Sequence, residues 1–308
     1  MMLFVINQHA GNGKGLRTWQ LIESRMQQLE IEYSSCVTAT PEEAEMHVSA
    51  HLTKYPRSTI VVLGGDGTIH RLLPILAGTQ AVLGVIPAGS GNDTARGFHI
   101  PTEPLQALHT ILHGRRNAVD LIQINDKWTL TALATGFDAE VAEAVNQSRY
   151  KRWCNQLRIG SAAYLIGAII TMFTFKPARA AITINGTIHH YDNVWLTAIA
   201  NSSSYGGGIR ICPHADPHDG ELDICIVHSC TRWTLMRLFP TVFSGKHVNL
   251  PYVSMLHGHN VHITSSIDRV AYGDGERTGT TPLQAAVGRH KLLMLQPSSS
   301  HHYESKIV

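Results

Sequence analysis

The chain has 308 residues, 44% of them hydrophobic and 16% charged, with a formal net charge of +2. That length suits two domains better than one core, and a charge so near zero excludes a global field that would draw in nucleic acid. The five cysteines (Cys36, Cys154, Cys212, Cys225, Cys230) are odd in number and form no CxxC pair, which excludes a disulfide framework and points to a reducing cytoplasm.

The chain opens on Leu3-Phe4-Val5-Ile6, with no basic leader and no long apolar region. Residues 3–7 therefore read as a first strand and not as a signal peptide. A Gly-rich turn, Gly11-Asn12-Gly13-Lys14-Gly15, leads into a helix with Trp19, Ile22, Met26 and Leu29 on one face. Residues 33–38 read as a second strand. Thr40-Pro41-Glu42-Glu43 carries both a capping box and a proline at the first helical position. Strands follow at 59–63 and 81–86, each ending in a glycine turn. Strands that alternate with helices predict a parallel sheet covered on both faces, with ligands at the carboxyl ends of the strands.

After about Asp120 the pattern changes. Strand-like runs at 118–125, 127–135, 180–185, 187–200, 221–227, 260–264 and 291–296 succeed one another, with hairpin signals at Asn125-Asp126 and Asn185-Gly186. This half reads as an antiparallel β domain with helical insertions at 161–175 and 231–243. The apolar stretch 162–175 is too short to cross a bilayer, which takes roughly 20 residues. Residues 297–308 form a polar tail. The 19 histidines, including His257, His259 and His262, show no ligand spacing and read as surface residues.

Two turns carry the chemistry: Gly64-Gly65-Asp66-Gly67-Thr68 and Gly89-Ser90-Gly91-Asn92-Asp93. Glycine lets backbone N–H groups come close to phosphates, and an aspartate in each turn suits magnesium, which takes oxygen ligands. Neither turn ends in the Gly-Lys-Ser/Thr of a P-loop. A strand-to-helix connector is the plainer reading of each turn taken singly.

These two turns, with Pro87-Ala88 before the second, resemble the diacylglycerol kinase catalytic family, which includes bacterial lipid kinases, sphingosine kinases and ceramide kinases. The resemblance continues at Asp120, at Asp216-Pro217-His218-Asp219-Gly220-Glu221-Leu222-Asp223 and at Asp274-Gly275-Glu276, and so covers nearly the whole chain. It implies an α/β N-terminal domain with a parallel sheet (1–125) that binds ATP in a cleft facing an antiparallel β-sandwich domain (126–288). A C-terminal strand (289–297) returns to the first domain, and 298–308 is a flexible tail. It implies nucleotide contacts at Asn7, Lys14, Thr40, Gly64, Gly65, Asp66, Gly67, Thr68, Ser90 and Asn92. It also implies a catalytic Mg2+ network at Asp66, Asp93 and Asp120, and a structural Mg2+ at Asp216, Asp219 and the carbonyl of Glu221. Asp274-Gly275-Glu276 supplies the general base. Which carboxylate is the base stays open, with Glu276 the first choice. One position departs from the family, whose first motif reads Asn-Pro where this chain has Asn7-Gln8.

The implied reaction is transfer of the γ-phosphate of ATP to a lipid hydroxyl, with diacylglycerol the leading acceptor, by a cytoplasmic protein that visits the membrane surface. The helix at 162–170 is read as core or, alternatively, as a wall of the acyl pocket. Arg149-Tyr150-Lys151-Arg152-Trp153 is read as a solvated face or as a contact with anionic lipid. The loop at 216–223 is read as an ion site or a polar turn, and Asp120 as a metal-directed carboxylate or a solvated strand end. Open sheet edges allow a homodimer. Two other functions compete. A kinase for a soluble acceptor such as NAD would be expected to follow its first turn with Asn-Glu, and a silent lipid- or nucleotide-binding protein would be expected to have lost a carboxylate. Neither feature is found here.

Overall fold

The structure, a computed structural model, describes residues 1–148 and 160–298. The chain divides into two compact units, 1–119 with 291–308 and 120–290. Both boundaries fall inside strands, β5 (Arg115–Ile124) and β16 (Leu283–Gln296).

In the first unit β1 (Met2–Asn7), β2 (Ser34–Thr38), β3 (Thr59–Gly64) and β4 (Val82–Pro87) pair in parallel in the order β2-β1-β3-β4. The end of β16 adds to β4 in parallel, with Leu293 opposite Val82, so the returning strand is present. β3 and β4 are buried along their whole length, as strands covered on both faces must be. Helices α1 (Lys14–Gln28) and α5 (Pro104–His113) bury Trp19, Ile22, Met26, Leu108 and Ile111 against Phe4, Ile6, Val61 and Leu63. Leu29, expected on that face, lies past the last helical turn and is exposed. Helices α2 (Pro41–Lys54) and α3 (Asp66–Leu76) pack together over β1–β3, and the short α4 (Asp93–Gly97) follows β4. The capping box at Thr40 forms: its hydroxyl accepts from the Glu43 N–H, and the Glu43 carboxylate accepts from the Thr40 N–H.

The second unit is a sandwich of antiparallel sheets. One sheet holds β8 (Ala178–Ile184), β9 (Thr187–Val194), β13 (Asn260–Ser265) and the first half of β16, with a β5–β6 hairpin (β6, Lys127–Thr129). The other sheet runs β12-β11-β10-β7-β14-β15. Its strands are β7 (Ala132–Gly136), β10 (Leu196–Ala200), β11 (Leu222–Val227), β12 (Val253–Gly258), β14 (Val270–Gly273) and β15 (Glu276–Thr280). Strand alternation divides the side chains. Ile199, Ile224 and Ile226 face the partner sheet, while Leu196, Ala198, Cys225 and Val227 face an outer helical layer. That layer contains α6 (Phe137–Gln147), α7 (Gly160–Thr174) and α8 (Arg232–Leu238), continued by a short 3-10 helix, Phe239–Val242.

Two runs expected as single strands are each two. The run at 127–135 breaks into β6 and β7, and the run at 187–200 into β9 and β10, in both cases because the chain passes from one sheet to the other. Trp195, at the second crossing, is buried and donates its ring N–H to the Cys230 carbonyl.

Candidate functional site

In the first unit the predicted turns come together. Asp66 is the first residue of α3, and its carboxylate accepts from the backbone N–H groups of Asp93 (Oδ2, 3.0 Å) and Thr94 (Oδ1, 2.9 Å). One side chain thus fastens the turn after β3 to the turn after β4. The glycines are a steric condition of that join. A Cβ on Gly65 would lie 3.0 Å from the Gly89 Cα, and one on Gly89 would lie 2.5 Å from the Gly65 Cα. Asn92, at φ 54°, closes its own turn with two hydrogen bonds to the Gly89 backbone, at 2.9 and 3.0 Å. The turn after β1 joins the group through Asn7, whose Nδ2 donates to the Thr68 hydroxyl at 2.9 Å. Lys14, at the start of α1, and Ser90 are exposed, and the Thr40 hydroxyl is engaged in capping α2.

Asp93 pairs with Arg96, which also donates to the Gly91 carbonyl. A Cβ added at Gly91 would lie 3.2 Å from Asp66 Oδ2 and 3.6 Å from Asp93 Oδ2. One oxygen of each carboxylate therefore lies beside Gly91, on the side where that residue carries no side chain. This fits a magnesium ion that keeps waters and phosphate oxygens as its other ligands.

The other predicted residues belong to the second unit. Asp120, expected beside Asp66 and Asp93 or as a solvated strand end, is fully buried. Its carboxylate accepts from the N–H groups of Gly220 (2.8 Å) and His290 (2.6 Å). Its own N–H donates to the Pro217 carbonyl at 2.8 Å, and its carbonyl accepts from Asn201 Nδ2 at 2.7 Å. Asp120 is thus the tie point of the loop 216–221.

Asp216 and Asp219 each turn one oxygen onto that loop, accepting from the His218 and Glu221 N–H groups at 3.0 and 2.8 Å. Among the described residues no group of three or more His, Cys, Asp or Glu side chains comes together as a metal site. Burial pushes the nearby Asp223 carboxyl above its ordinary value, while His257 pulls it back.

Asp274 and Gly275 are a two-residue hairpin turn between β14 and β15, at φ 50° and 83°. The dipeptide has the conformation that Asp-Gly favours in such turns. The Asp274 carboxylate accepts from the N–H groups of Leu130 and Thr131, both at 2.8 Å, and from the Thr131 hydroxyl at 2.6 Å. Asp274 is therefore a held carboxylate. Glu276, the first residue of β15, is exposed, and its carboxylate makes no hydrogen bond or ion pair among the described residues.

Sequence reasoning missed Thr131 and Asn201. Asn201 Nδ2 donates to the carbonyls of both Asp120 and Leu130, and so links the 216–221 loop to the Asp274 turn. The signal was available: a buried asparagine directly after the apolar strand β10.

The segment 149–153 and the tail from 299 lie outside the described residues, as do the side chains from 162 to 165. From Ile166 onward α7 is half core and half exposed, a departure from its first reading, as core. A cavity of about 330 Å³ on β8, β9 and β13 is lined by none of the predicted site residues. No described helix is long and apolar enough to cross a membrane.

Two family models match. The diacylglycerol kinase catalytic domain matches residues 1–124, and the YegS C-terminal NAD kinase beta sandwich-like domain matches residues 131–296. A diacylglycerol kinase of Mycobacterium tuberculosis is 33% identical over 297 residues, which cover 94% of this chain and 93% of that protein. A putative lipid kinase YtlR of Bacillus subtilis is 28% identical over 294 residues, covering 92% and 95%. The structure of a putative diacylglycerol kinase from Bacillus anthracis superposes with a TM-score of 0.75 at 22% identity, covering 96% of both chains, a likeness of fold.

Proposed function

Because the chain belongs to the diacylglycerol kinase catalytic family, we propose that it transfers the γ-phosphate of ATP to a lipid hydroxyl, converting diacylglycerol to phosphatidic acid. The observation that carries this reading is the Asp66 carboxylate, which fastens two glycine turns so that Asp66 and Asp93 each place a carboxylate oxygen beside Gly91. Phosphoryl transfer needs little covalent chemistry from a protein; it needs positioning and charge neutralisation. Magnesium, when bound, supplies that neutralisation, with Asp66 and Asp93 as the residues that would hold it. The backbone from Gly64 to Thr68 and Ser90 cradles the phosphates, and the Asn7–Thr68 bond holds the turns after β1 and β3 together.

A lipid hydroxyl has a high pKa, so a carboxylate must accept its proton as the new O–P bond forms. Glu276 takes that role, because its carboxylate is exposed. The Asp274 carboxylate accepts three hydrogen bonds and positions the turn.

The test is transfer of labelled γ-phosphate from Mg-ATP to a panel of lipids in mixed micelles, with NAD as a control acceptor. Label in diacylglycerol is the expected result. Label in another lipid would keep the reaction and change the acceptor. Label in NAD alone, or none anywhere, would overturn the reading.

A further inference from the structure

The outer helices of the second unit leave apolar side chains in water. In α7 the exposed large apolar residues, among the described side chains, are Ile166, Ile169, Ile170 and Phe173, the spacing of one helical face, with Phe173 61% exposed. In α8 and the turn after it they are Trp233, Met236, Phe239 and Phe243, with Trp233 67% exposed. Both helices bury their inner faces in the same core cluster, through Ala168 and Met172 from α7 and Leu235 and Leu238 from α8. Arg232, at the start of α8, donates to the Phe175 carbonyl at the end of α7 at 2.8 Å. The two exposed faces are therefore neighbours on one layer. Exposed apolar side chains gathered on one layer in this number mark a docking site.

Charge selects the occupant. The chain has no Asp or Glu from 160 to 191 or from 224 to 267, and these segments carry both helices. The exposed charges beside the apolar residues are basic: Lys176, Arg232, Arg237 and Lys246. A second copy of this chain would bring like charges together. An anionic bilayer accepts both the apolar side chains and the cations. We infer that α7 and α8 dock the protein on an anionic lipid surface, with Phe173 and Trp233 entering the acyl boundary. This deepens the lipid-kinase reading and rests on it for the choice of a bilayer.

The full chain is mixed with phosphatidylcholine vesicles, with and without phosphatidylglycerol, some carrying brominated acyl chains. Trp233 fluorescence is expected to be quenched by the brominated, phosphatidylglycerol-containing vesicles, and Trp233→Phe removes that component. The double variant Ile169→Glu/Phe173→Glu is expected to lower vesicle partition by about tenfold or more. It should slow phosphorylation of vesicle diacylglycerol and keep the parent rate on a short-chain, monomeric diacylglycerol. Unchanged partition, an unquenched Trp233, or sedimentation showing this face covered by a second copy would overturn the inference. Vesicle docking as described with no transfer to any lipid would uphold it while removing the kinase reading.

Discussion

Replacing the Asp66 carboxylate by a carboxamide turns an N–H donor toward one of the backbone N–H groups it now receives, from Asp93 or Thr94. Asp66→Asn should therefore lower both thermal stability, by about 1–3 kcal/mol, and phosphoryl transfer, by about a hundredfold or more. Melting and kinase assays on one preparation read both. Glu276 and Asp274 separate in the same way. Glu276→Gln should leave melting unchanged and cost about 10²–10⁴ in rate. Asp274→Asn should lower the melting temperature, because it disturbs three bonds. The reverse pattern would make Asp274 the base.

Asp138, at the start of α6, is a different kind of carboxyl. Burial pushes it up to about 6, and the hydrogen bond from Tyr205 partly offsets this. The folded state then holds the proton over a range, from about 4 to 6, in which the unfolded chain has released it. Stability must fall as pH rises through that window. Asp138→Asn lacks this titration, so the parent should lose on the order of 2–3 kcal/mol relative to the variant between pH 4 and 7. Denaturant unfolding at both pH values checks the sign.

At the scale of elements, local signals were read well where the backbone alone sets the conformation. Asn185-Gly186 joins β8 to β9 at φ 49° and 87°, as Asn-Gly hairpins do. The capping box at Thr40 is a four-residue pattern and needs nothing else. The breaks at 130–131 and at Trp195 left no such mark, because an apolar run reads alike whether it stays in one sheet or crosses to another. The short strands β12 and β15 were missed because their cover comes from distant segments.

The glycine turns make a prediction at this scale. Gly89→Ala places a Cβ 2.5 Å from the Gly65 Cα, so the turns must part, and ATP-induced thermal stabilisation should disappear. Gly275→Ala meets nothing within 4 Å and bears only the strain of its φ of 83°, about 1–2 kcal/mol. Equal effects of the two changes would contradict the close crossing of the turns.

At the scale of the molecule, Asp120 ties the loop 216–221, Asn201 and His290 into one buried network in the second unit. Asp120→Ala should cost about 2–4 kcal/mol, since it strands the buried Gly220 N–H and the partly buried His290 N–H, and should loosen the 216–221 loop. Hydrogen exchange at Gly220 and His290 reports this directly.

By itself, the sequence determined the family, the parallel and antiparallel halves and the returning strand, and it named the residues from which the proposed site is drawn. Those features depend on periodicity, turn dihedrals and ordered motifs, all of which are local. Only the tertiary structure decided which carboxylates are held and which is exposed. The partners of Asp66 and Asp120 lie 28 and 170 residues away, and a hydrogen bond across such a separation exists only once the chain has folded. The same holds for α7. Its sequence is apolar nearly all round, and only packing decided which face went into the core and which was left exposed.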